Sequence, residues 1–148
     1  MITDRELTFS KNQIVTATAV STDSVALDGL FLGRNGDTLR VYALVTETFL
    51  AAGAGTLTIE VIQATDGALT TGIDSLATSV AIPKTGLVAG GKAFEFDIPM
   101  PKNTKAFVGG RYTVATGPFT AGKIVMGIVP STPTALDDRP AFYTGRGA

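Results

Sequence analysis

The sequence contains no histidine, no cysteine and no tryptophan, and each absence removes a class of chemistry. Without cysteine there is no disulfide framework, no thiol nucleophile, and no cysteine-ligated zinc or iron–sulfur centre. Without histidine there is no imidazole base, hence no Ser-His-Asp triad, no HExxH zinc site and no facial iron triad. Carboxylate, lysine or tyrosine chemistry is left, or none. Charge is also scarce. Twelve Lys+Arg face thirteen Asp+Glu, for a net charge of -1, and 17% of residues are charged where about a quarter is usual. No chain-wide field draws the protein toward nucleic acid or an anionic membrane. The basic residues Lys84, Lys92, Lys102, Lys105, Arg111 and Lys123 are scattered and form no stripe with stacking aromatics. No apolar run approaches the roughly 20 residues of a membrane span. The start, MITDRELTFSKNQ, has neither the basic flank nor the apolar centre of an export signal, so a soluble, unexported protein is expected.

What is present is a hydrophobic balance: 45% apolar residues and a mean hydropathy of +0.29. At 148 residues the chain is about one domain long, enough to bury roughly two-thirds of its extended surface. The apolar surplus has three sources to choose from: a larger core, an all-β chain using Thr and Gly where a helical protein uses Lys and Glu, or surface covered by other subunits.

Thr alternates with Val, Ala, Leu and Ile along much of the chain, the period-two pattern of strands with one buried face. Gln13–Val20, Thr56–Ala64 and Phe94–Ile98 are the clearest strands. Val25–Asp28, Thr38–Phe49, Leu76–Ile82, Phe107–Ala115 and Lys123–Val129 bring the number to eight. Turn signals separate them: Asn35-Gly36, then Ala52–Gly55, Thr65–Gly67, Ala89–Lys92 and Thr116–Gly122. The prolines fall outside these strands, as ladders that need every amide require. Gly109-Gly110 inside a strand pattern suggests a bulge, and Leu69 to Val80 reads as a loop leading into a strand. Eight short strands at about ten-residue spacing indicate an all-β, eight-stranded antiparallel, jelly-roll-like sandwich with extended terminal arms. The expected organisation is an N-terminal arm over residues 1–12, the sandwich over 13–130, and a C-terminal arm over 131–148.

Catalytic and binding motifs are scarce. There is no GxGxxG, Walker loop, GxSxG or calcium loop. Asp137-Asp138 are adjacent, so in an extended chain their side chains point apart. Glu60, Glu95 and Asp97 occupy the polar phase of alternating strands, the solvent face of a one-sided sheet. Asp23, Asp28 and Asp74 show no metal-ligand spacing. Neither a catalytic site nor a cofactor or metal site is expected. The arms are more informative. Arg139, Phe142, Tyr143 and Arg146 lie in a Pro- and Gly-punctuated stretch, and such side chains are enriched at interface hot spots. Ile2, Leu7 and Phe9 precede the first strand in the same way. These seven residues are the interface candidates, with the C-terminal arm docking on another subunit.

The segment KNQIVTATAVSTDSVALDG, with Gln13, Val15-Thr16-Ala17-Thr18-Ala19 and Ser21-Thr22, resembles the N-terminal signature of a family of bacteriophage capsid cement proteins. Leu76–Pro83, Arg111–Val129 and Ala141–Gly145 are similar to that family in matching order, although Ala26-Leu27-Asp28-Gly29 departs from its DLG turn. The resemblance implies a jelly-roll-like domain on the outer surface of a tailed-phage virion, made in the host bacterial cytoplasm. It implies clamping of neighbouring copies of the major capsid protein, assembly as a homo-oligomer (dimer or trimer), and no catalytic residues. The alternative from the residues alone is a carbohydrate-binding jelly roll of a fibre or secreted protein, using Arg34, Asn35, Asp37 and Arg40.

Overall fold

The computed structural model describes residues 7–26, 38–99 and 105–129. Its strands are β1 (Thr8–Ile14), β2 (Ala19–Val20), β3 (Val25–Ala26), β4 (Thr38–Leu50), β5 (Thr56–Ala64), β6 (Asp74–Thr78), β7 (Ile82–Pro83), β8 (Lys92–Pro99), β9 (Phe107–Ala115) and β10 (Ala121–Val129), and a short 3-10 turn lies at Lys84–Gly86. The hairpin cue at Asn35-Gly36, Ile2 and all of residues 130–148 lie outside the described residues.

The strands form two antiparallel sheets. The first has the order β1-β10-β4-β8; the second has β2-β9-β5-β6, with β3 also on β9 and β7 also on β5. The pairs are nested: β5 with β6 and β7, β4 with β8, β2 and β3 with β9, β1 with β10. That is one long hairpin, rolled so that β10 also meets β4 and β9 also meets β5. The result is the two-sheet jelly roll expected from the sequence. Counting β2 with β3 and β6 with β7 as interrupted strands restores the expected eight.

The interruptions correct two sequence expectations. Gln13–Val20 is not one strand. β1 starts at Thr8, inside the expected arm, and the chain leaves the first sheet at Val15 to join the second at Ala19. Leu76–Ile82 likewise breaks between β6 and β7. The physical reason is the hydroxyl side chain. At each break a Ser or Thr oxygen accepts the neighbouring strand's amide in place of a backbone carbonyl: Thr18 Oγ1 from Val114 N (3.0 Å), Ser21 Oγ from Gly110 N (3.0 Å) and Ser79 Oγ from Ile59 N (3.0 Å). The backbone is thereby free to turn without orphaning a buried donor. Ser79→Ala should then cost about 1–3 kcal/mol, the penalty of a buried amide without its acceptor. Urea denaturation compares it with the exposed Ser75→Ala, which should change little.

The core lies between the sheets. Val41, Ala43, Val45 and Phe49 of β4 face Leu57, Ile59 and Val61 of β5, with Val108, Tyr112, Ile124, Met126 and Ile128 closing it. Each of the Val, Leu, Ile, Phe and Met side chains contributes roughly 1.5–3 kcal/mol by leaving water. Phe9 belongs here too, fully buried, so it is withdrawn as an interface candidate: its ring is satisfied within its own domain. A second cluster, Ile62, Ala64 and Leu69, sits on the outside of the second sheet under the β5–β6 loop.

No bulge occurs at Gly109-Gly110; the β5–β9 register runs unbroken from Thr56↔Ala115 to Ala64↔Phe107. These glycines serve close approach instead. A Cβ on Gly109 would lie 2.5 Å from Leu69 Cδ1, and one on Gly110 would lie 2.7 Å from Met126 Sδ. Pro83 and Pro99 do enter strands, β7 and β8, at edge-strand termini where a missing amide is tolerated.

Candidate contact surface

The two outer faces differ in chemistry. On the second sheet, beyond the Ile62 and Ala64 positions that the β5–β6 loop covers, the outward positions are Thr56, Thr58 and Glu60 of β5 opposite Ala115, Thr113 and Arg111 of β9, and Arg111 Nε donates to Glu60 Oε1 at 2.7 Å. That is the polar exterior usual for a one-sided antiparallel sheet. The first sheet departs from it. Its outward positions pair Leu50 with Ala121, Leu44 with Val125, Tyr42 with Gly127 and Arg40 with Val129, and Ile14 of β1 lies opposite Lys123. Ile14 is 62% exposed and Leu50 56%; Leu44, Val125 and Val129 are half-buried.

Charge frames this apolar stripe. Arg40 makes a two-pronged bond to Asp97, Nε to Oδ1 at 2.7 Å and Nη2 to Oδ2 at 2.9 Å, with Glu95 3.7 Å from its Nη1. Lys92 Nζ donates to Glu95 Oε1 at 2.7 Å, and Lys123 stands 3.6 Å from Glu47. The hydrogen bond and charge of Arg40 hold the Asp97 carboxyl below its ordinary range, and those of Lys92 do the same for Glu95. Every one of these acids is matched by a cation, so the face is polar at its margin but not strongly charged.

Tyr42 marks the middle of the stripe. It is 1% exposed yet belongs to neither apolar cluster. A Cβ on Gly127 would lie 2.7 Å from Leu7 O and 2.9 Å from Thr8 Cα, with the Tyr42 hydroxyl at 3.1 Å, so the glycine lets the β1 backbone close over β10 beside the phenol. Among the described residues that hydroxyl has no hydrogen-bond partner. The other buried phenol is fully engaged: Tyr112 and Ser10 share a 2.6 Å hydrogen bond, Ser10 donates to Gln13 Oε1 at 2.7 Å, and Gln13 Nε2 donates to Val20 O at 2.9 Å. Burial pushes the Tyr112 hydroxyl well above the usual phenol range. This network ties the start of β1 across the sandwich to β9 and β2.

Of the interface candidates, Leu7 is half-buried and packs against the main core, and Phe9 is in it. Ile2, Arg139, Phe142, Tyr143 and Arg146 lie outside the described residues, as do Arg34, Asn35 and Asp37 of the carbohydrate alternative. Arg40, the remaining member of that set, is already committed to Asp97. Glu95 and Asp97 do point outward as expected. Sequence reasoning missed Tyr42, Leu44 and Val125, although a signal existed: β4 and β10 carry apolar residues in both phases of their alternation, the mark of strands covered on both sides.

The β5–β6 loop is fixed by one carboxylate. Asp66 Oδ1 accepts the amides of Thr70 and Thr71, both at 2.9 Å, and its Oδ2 accepts the Thr70 hydroxyl at 2.6 Å. The Thr70 hydroxyl bond, then the Thr71 amide, hold its pKa well below the ordinary carboxylate value. A depressed folded pKa gives stability that is present above the unfolded value of about 4 and lost as pH falls below it. Wild type should therefore lose stability on acidification below about pH 4. Asp66→Asn should be less stable at neutral pH and show a shallower acid loss, measured by urea midpoints across pH 2–7. With no histidine in the chain, the same profile should stay flat between about pH 5 and 8.

A search of curated proteins returns no match to the chain. The Bbp16 family model matches residues 9–128, a span reaching from β1 to β10.

Proposed function

The chain belongs to the Bbp16 family, and from that premise we propose that it is a structural cement, or decoration, protein of a bacteriophage capsid. It sits on the outside of a tailed-phage head and holds neighbouring major capsid subunits together. The observation that supports this reading is the apolar outer face of the first sheet, which carries Ile14, Leu50, Leu44 and Val125, whereas the second sheet buries its outward Ile62 and Ala64 under the β5–β6 loop and gives most of its other outward positions to Thr, Glu and Arg. An apolar patch rimmed by matched charges is the usual form of a protein-binding surface. The resemblance of Gln13–Thr22 and Arg111–Val129 to cement proteins agrees with it in kind.

Bridging explains how such a protein stabilises a shell. A ligand that binds only the assembled state shifts the equilibrium toward assembly by mass action. Contacts that are weak singly become strong when one molecule engages two subunits at once. Arg139, Phe142, Tyr143 and Arg146 are the proposed anchors of the C-terminal arm, and the protein assembles as a dimer or trimer. Deleting residues from Asp137 onward should leave a folded domain, by circular dichroism, with much lower occupancy on empty heads in co-sedimentation. Full decoration by the truncated protein would sink the arm's role.

A further inference from the structure

The four sheet edges are not equally protected against pairing with another chain. In the second sheet, β2, β3, β6 and β7 are short, and Thr18, Ser21 and Ser79 cap their breaks with hydroxyls. In the first sheet β1 carries two register shifts and Asn12 at φ 56°, bulged features that spoil a template. β8 has none of these devices over its outer two-thirds. It spans 8 residues and its pairing with β4 is unbroken from Ala43↔Phe94 to Thr38↔Pro99. No described residue pairs with its outward side.

The side chains on this edge are also incomplete. Phe96 shares the inner face with Phe94, their ring centroids 6.2 Å apart, and lies opposite the fully buried Val41. Yet Phe96 is 51% exposed. Its inner-face position calls for an apolar neighbour that the described residues of the second sheet do not supply. On the outer face, Glu95 and Asp97 stand at alternate positions, each already held by a cation of its own chain, Lys92 and Arg40.

We propose that the outward edge of β8 is a strand-addition site for the C-terminal segment of a second copy of this chain, residues 137–146. That segment carries the matching chemistry: Phe142 and Tyr143 to lie beside Phe96, and Arg139 and Arg146 to join Lys92 and Arg40 around Glu95 and Asp97. It also has the reach. The 19 residues after Val129 extend to about 60 Å, longer than the roughly 43 Å of the 13-residue β4. Main-chain bonds to an open edge supply affinity and alternate side-chain pockets supply specificity in this mode of recognition. The proposal concerns contacts between copies and stands whether or not the protein binds shells.

The cysteine-free chain allows a direct test. Full-length Asp97→Cys and Tyr143→Cys proteins are mixed and treated with a short bismaleimide. Cross-linking between copies is expected at about ten times the yield of a control pair made from Tyr143→Cys and Val80→Cys, the latter at an exposed site on the second sheet's edge. Equal yields, or cross-links mainly between two Asp97→Cys copies, would overturn the proposal. Independently, full-length Phe96→Lys should keep its thermal midpoint while self-association in sedimentation velocity weakens by about 30-fold, as expected for loss of one aromatic hot spot. Unchanged self-association with the fold intact would also overturn it. Shell binding enters neither readout.

Discussion

Gly122→Ala should destabilise the fold by about 3 kcal/mol or more, combining backbone strain of roughly 1–3 kcal/mol with overpacking of similar size. Gly122 has φ 148°, a conformation that side chains rarely adopt, and a Cβ there would lie 2.5 Å from Cγ and Cδ2 of Phe49. The ring cannot retreat easily. Phe49 is fully buried and meets Phe119 edge-on, with centroids 4.9 Å apart, and Phe119 is itself buried in the same core. Gly117→Ala is the control: its φ is 98°, but nothing lies within 4 Å of the added carbon, so only the strain remains, about 1 kcal/mol. Urea denaturation of both variants checks the comparison. Equal losses would mean that the Phe49–Phe119 contact does not constrain this corner.

The second large effect concerns binding. Ile14→Asp combined with Leu50→Asp should lower affinity for capsid shells by about 100-fold or more, since buried apolar anchors at an interface contribute about 2 kcal/mol each and an unpaired carboxylate in their place costs further. Both side chains are more than half exposed in the single chain, so folding stability should change by only about 0.5 kcal/mol per site. Thr56→Asp with Thr113→Asp, at diagonal rather than facing positions on the outer face of the second sheet, should leave shell binding unchanged. Co-sedimentation isotherms for the two double variants separate a face-specific contact from a general effect of added charge. Equal weakening by both pairs would deny the first sheet its role.

Much of the fold was legible because alternation is a local signal. β5 and β9 fall where the pattern puts them, and β4, β8 and β10 differ by a residue or two at their ends. The breaks in Gln13–Val20 and Leu76–Ile82 were not legible. Thr18 and Ser79 look like ordinary outward strand residues until the amides of Val114 and Ile59 are brought beside them from distant sequence. Gly109-Gly110 misled for a related reason: a strand glycine signals either a bulge or a close neighbour, and the neighbours Leu69 and Met126 come from other strands and loops. Phe9 was misplaced because its strand pairs β10, more than a hundred residues later. The outer face was half legible. The two-phase apolar pattern of β4 was in plain view, but which phase faces outward depends on which sheet covers the other.

The most direct measurement of the proposed function is co-sedimentation of the full-length chain with empty, expanded heads assembled from the major capsid protein encoded in the same genome. Cement function predicts saturable binding at a copy number comparable to that of the capsid protein, with heads that resist heating better once decorated. Absence of the chain from the pelleted heads at saturating concentration, with the protein folded and soluble, would contradict it.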